Sequence, residues 1–92
     1  MQTKDLVSTR KLGHFTVDYY ITFSHGTVGE SGPSYGISIE KREGENVESY
    51  DASCCFYEYS PAYALAEKLA RHAVTPIGAE ETIEVILESF SR

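Results

Sequence analysis

The chain has 92 residues, 41% of them hydrophobic and 24% charged, with a formal net charge of −6. That length suits one small domain spanning 1–92 with a modest core, and the ordinary apolar and charged shares exclude a disordered chain. No run approaches the ~18 apolar residues that cross a bilayer, the first residues lack a signal-peptide stretch, and an acidic surface repels phosphates. No membrane and no direct nucleic-acid contact are therefore expected, and the expected setting is the cytoplasm.

Charge is placed unevenly: residues 1–12 sum to +2, 13–59 to −6 and 60–92 to −2. Residues 1–12 read as a fraying arm or an edge strand over 6–12. Phe15, Val17, Tyr19, Ile21 and Phe23 then alternate with Thr16, Asp18, Tyr20 and Thr22. This period-two pattern predicts a strand with one buried face. The following segment, 25–34, holds Gly26, Gly29, Gly32 and Pro33. It reads as a long hairpin connection, and no Gly-Lys-Ser/Thr follows to make it a phosphate cradle. Tyr35, Ile37 and Ile39 predict a second strand, and 43–46 a turn that pivots on Gly44.

The stretch 47–59 is β-rich, but its apolar residues fall on both parities. Val47, Cys55, Tyr57 and Tyr59 share one face, while Tyr50, Ala52, Cys54 and Phe56 share the other. A bulge near 51–53 would turn both sets to one core. Two separate strands, or two covered faces, are the alternatives.

Ser60-Pro61 predicts a helix start, with Ser60 as N-cap and Pro61 at the first helical position. Ala62, Leu65, Ala66, Leu69 and Ala73 form its apolar stripe, and Glu67 can pair with Arg71 one turn on. Pro76 should end the helix by 72–74, with Val74 and Ile77 plugging the junction to a second helix over 79–91. That helix would bury Ile83, Ile86, Leu87 and Phe90, keep Glu80 and Glu81 in its first turn, and extend an acidic face through Glu84 and Glu88. The assembly expected is α+β: an antiparallel sheet of three to four strands with two C-terminal helices packed on one face.

The order Tyr35-Gly36-Ile37-Ser38-Ile39, a turn, Val47-Glu48-Ser49, Glu58-Tyr59-Ser60-Pro61, helix, Val74-Thr75-Pro76 and a terminal acidic helix is similar to a family of short uncharacterised proteins from anaerobic Gram-positive bacteria. The resemblance covers roughly 15–90. It implies the same fold and supplies no mechanism and no site residues.

The residues themselves offer little chemistry. Cys54 and Cys55 are adjacent, so a disulfide between them would be strained and buried thiols are expected. His14, His25 and His72 have no partners at metal-ligand spacing, so no metal and no cofactor are expected. His72 suits a helix C-terminus, and His25 an exposed loop. No nucleophile elbow is present. Glu80 and Glu84 on an outward face should stay solvated rather than act as an acid/base pair. Neither catalysis nor a small-molecule substrate is expected.

Seven tyrosines give the best binding signal. Tyr19, Tyr35, Phe56 and Tyr59 read as core, whereas Tyr20 and Tyr63 read as outward-facing. The interaction surface expected is Tyr20, Tyr57, Tyr63, Glu80, Glu84 and Glu88. It belongs to a non-catalytic protein-interaction module that binds another protein or self-associates, through a sheet edge or the tyrosines. The alternative is an acidic inhibitor or nucleic-acid mimic that occupies a basic site on another protein.

Overall fold

In the computed structural model, which describes residues 2–24 and 34–90 and the side chains among them except those at 2, 53–55 and 89–90, four strands precede two helices. They are β1 (Gln2–Leu12), β2 (Phe15–Ser24), β3 (Ser34–Glu43), β4 (Asn46–Phe56), α1 (Tyr59–Arg71) and α2 (Pro76–Phe90). The strands lie in the order β1-β2-β3-β4, and every neighbouring pair is antiparallel. The expected α+β architecture is present, with four strands. Residues 2–12 form a full edge strand, paired from Gln2 opposite Ser24 to Leu12 opposite Phe15.

Gly13 and Gly44 each open a two-residue turn, at φ of 68° and 61°. Such turns match the twist of the flanking strands when a glycine supplies the positive φ at their first position. The alternation in β2 and β3 puts Val17, Tyr19, Ile21, Ile37 and Ile39 into one core with Ala62, Leu65, Ala66, Leu69 and Ala70 of α1 and Ala79, Ile83 and Ile86 of α2. Helix α1 lies across all four strands, and α2 rests on β3 and β4.

Several local expectations are corrected. Between Tyr35–Phe56 and Ile37–Ala52, β4 spends four residues where β3 spends two. The bulge therefore lies just beyond Ala52, and its even insertion leaves the facing unchanged. Tyr50, Ala52 and Phe56 all pack against the core, whereas Val47, Tyr57 and Tyr59 are exposed. Among the described residues one parity is buried, not both.

Helix α1 starts earlier than expected, with Glu58 in the N-cap position and no side-chain capping bond. Ser60 and Pro61 lie inside its first turn. Proline is tolerated there because the amide it lacks would have had no helical partner.

Ala73 leaves the stripe, and Ala70 takes its place in the core. At φ 52° Ala73 sits in the left-handed region. Its amide donates to Ala70 O, and the amide of Val74 donates to Leu69 O, both at 3.0 Å. This is a Schellman closure with alanine where glycine is favoured.

Helix α2 begins at Pro76, so Glu80 and Glu81 fall in its second turn. Val74 packs against the core, but Ile77 is 84% exposed and plugs nothing. The junction is held instead by the Tyr19 hydroxyl, which donates to Val74 O at 2.8 Å. The expectations for the 25–33 loop, His25, Cys54, Cys55 and Phe90 lie outside the described residues.

Candidate interaction surface

Where β4 passes into α1, the chain lays aromatic rings from the sheet onto the helix. Tyr59 and Tyr63 are one helical turn apart, which brings their ring centroids to 6.2 Å. Tyr35 of β3 meets Tyr59 edge-on at 5.7 Å, and Phe23 of β2 meets Tyr35 edge-on at 5.2 Å. Edge-on pairs of this kind add about 0.5–1.5 kcal/mol beyond their area. Tyr35, on the sheet side of the row, packs against the core. At the other end Tyr63 is 40%, Tyr59 43% and neighbouring Tyr57 76% exposed. Tyr59 was expected in the core. Its membership of the helix, one turn before Tyr63, is what aligns it with the exposed row.

Glu80, Glu84 and Glu88 are all exposed on α2, together with Glu81. Spacing of four residues stacks them on one side of the helix. The exposed Ile77 and Val85 share that outward surface, so the acidic face is interrupted by aliphatic side chains.

Tyr20 lies elsewhere, on the sheet face turned away from the helices. It is half-buried, with its hydroxyl 3.5 Å from Asp18 Oδ2 and Lys4 Nζ over its ring at 5.4 Å from the centroid. Burial raises its phenol pKa, with Asp18 and Glu40 adding to the effect. Asp18 is the hub of this face: Thr9 Oγ1 donates to Oδ1 at 2.7 Å and Arg42 Nη2 stands 3.7 Å from Oδ2. Arg42 Nε also donates to Glu40 at 2.8 Å. Thr22 and Ser38 are buried beside this network, and the Ser38 hydroxyl has no hydrogen-bond partner among the described residues.

The six residues expected to form one surface thus occupy three places: Tyr57 and Tyr63 at the strand-to-helix junction, the three glutamates on α2, and Tyr20 beneath the sheet. Of the histidines, His72 is the C-cap of α1 and exposed. His14 Nε2 lies 2.9 Å from Glu43 Oε2. Among the described residues no group of three or more His, Cys, Asp or Glu could hold a metal ion, and no helix is long and apolar enough to cross a membrane.

No curated protein and no solved structure matches the chain. The family described as a family of unknown function (DUF6514) matches residues 1–89.

Proposed function

The chain belongs to that family, and on this premise we propose that it is a non-catalytic protein-interaction module that docks a partner protein through the tyrosine row at the strand-to-helix junction. The observation that carries this reading is the exposure of Tyr57, Tyr59 and Tyr63 at the end of a ring-packed row rooted in the core. Tyrosine is enriched at interfaces, and rings already fixed by neighbours lose little rotamer freedom on binding. The sheet edges are poorer docking sites. Both edge strands carry register irregularities, and β1 adds Lys4 and Lys11; bulges and lysines are how edges are kept from pairing.

The test is quantitative affinity capture with wild-type protein and with Tyr57→Ser, Tyr59→Ser, Tyr63→Ser combined, alongside light scattering. A specific partner, or a dimer, that loses at least tenfold in affinity is expected. Equal capture by both proteins overturns the reading.

A second reading is an acidic inhibitor that covers a basic site. It is favoured by the exposure of Glu80, Glu81 and Glu84, none of which is ion-paired among the described residues. Its complex should weaken steeply with salt. Unchanged affinity in Glu84→Lys would count against it.

A further inference from the structure

Up to Asp5, opposite Ile21, the odd-numbered residues of β1 face the helices; from Ser8, opposite Tyr19, the even-numbered ones do. One extra residue, Val7, makes the switch. A bulge of this kind re-aims the side chains that follow it, and here it turns Ser8 and Arg10 toward α1. The last turn of α1 brings Arg71 to the same place. Ser8, Arg10, Glu67, Ala70 and Arg71 line an open cleft of about 280 Å³.

Neither arginine is ion-paired among the described residues, although Glu67 lines the same cleft and was expected to pair with Arg71. Ala70, small and buried, lies in the lining with them. The partial negative charge at the C-terminus of α1 and the Glu67 carboxylate both work against an anion here, and Arg10, Lys68 and Arg71 together outweigh them in charge.

We propose that this cleft binds a small oxyanion, a phosphate ester or a carboxylate, held between the guanidinium groups of Arg10 and Arg71 with the Ser8 hydroxyl as a further donor. The planar fork of each guanidinium matches a pair of such oxygens. The cleft is open and has room for a compact anion. The site is separate from the tyrosine row, and its fate does not decide that of the docking surface.

The test is an amide-resolved NMR titration at constant ionic strength, with inorganic phosphate in one arm and acetate in the other. Saturable shifts centred on Ser8, Arg10, Ala70 and Arg71 are expected in at least one arm, and the responding arm names the anion class. Arg10→Gln with Arg71→Gln should weaken binding at least tenfold. Arg10→Lys should weaken it less, and Lys4→Gln with Lys41→Gln, which removes equal charge elsewhere, should not change it. Shifts that never saturate, that centre on other residues, or that survive the double arginine variant overturn the proposal. The thermal transition of each variant, followed by circular dichroism, separates loss of binding from loss of fold.

Discussion

Beneath the helices the sheet is apolar: Val17, Tyr19, Ile21, Ile37 and Ile39 are buried against the alanines and leucines of α1 and the isoleucines of α2. On the other face the same strands bury Asp18, Thr22 and Ser38, in and around a network that joins Thr9, Asp18, Glu40 and Arg42. The covered face is held by non-directional burial, at roughly 25 cal/mol for each Å² of apolar surface. The open face is held by hydrogen bonds and charge pairs, which are directional and individually worth about 1 kcal/mol. Specificity of register and bulk stability are thus assigned to opposite sides of one sheet.

The largest effect expected is at Ile39, fully buried at the centre of the covered face. Ile39→Ala should cost about 2–5 kcal/mol in denaturant unfolding. Val47→Ala on the open face should change stability by no more than about 0.5 kcal/mol. Equal losses at the two positions would end the contrast.

Tyr19 carries a hydroxyl into the core of the covered face, and Tyr19→Phe should cost about 1–2 kcal/mol by leaving Val74 O without its donor. Burial pushes its phenol pKa up to about 12 while Arg10 pulls against it. The folded state therefore keeps a proton that the unfolded chain releases near pH 10. This stabilisation is complete below about pH 10 and is lost as pH rises to about 12, on the order of 2–3 kcal/mol. Unfolding measured across that window should fall more steeply for wild type than for Tyr19→Phe.

Ala73→Gly relieves the left-handed backbone at the end of α1. It should raise stability by about 0.5–1 kcal/mol, against a loss for glycine at buried Ala66 inside the helix. At Ser38 the buried hydroxyl has no partner among the described residues. Ser38→Ala should leave stability unchanged or raise it by up to about 1 kcal/mol. A clear loss in thermal unfolding would show that the open face needs that hydroxyl.

Strands β2 and β3 and the two helical stripes were legible because each repeats its period over several residues. The pairing of β1 was less so: its sequence is mostly polar, and its partner strand supplies the order. The Gly13 turn was readable in principle, since a glycine stands between two alternating segments. The Val7 bulge is a relation between two strands and leaves no mark in one of them. The start of α1 was misplaced because a Ser-Pro pair fits two positions in a first turn equally well. That single step hid the Tyr59–Tyr63 alignment. The Asp18 network escaped for a further reason: its members come from three strands, and nothing in their local spacing joins them.

Because each strand pairs with the one before it, most of the sheet can zip from its turns without closing long loops, which favours rapid folding. The bond from Tyr19 to Val74 spans 55 residues and requires both the sheet and the end of α1 to be in place. A contact of that span is expected to form late, so Tyr19→Phe should raise the unfolding rate in stopped-flow measurements far more than it lowers the folding rate. On that expectation the tyrosine is a latch, setting how long the folded molecule lasts more than how soon it forms.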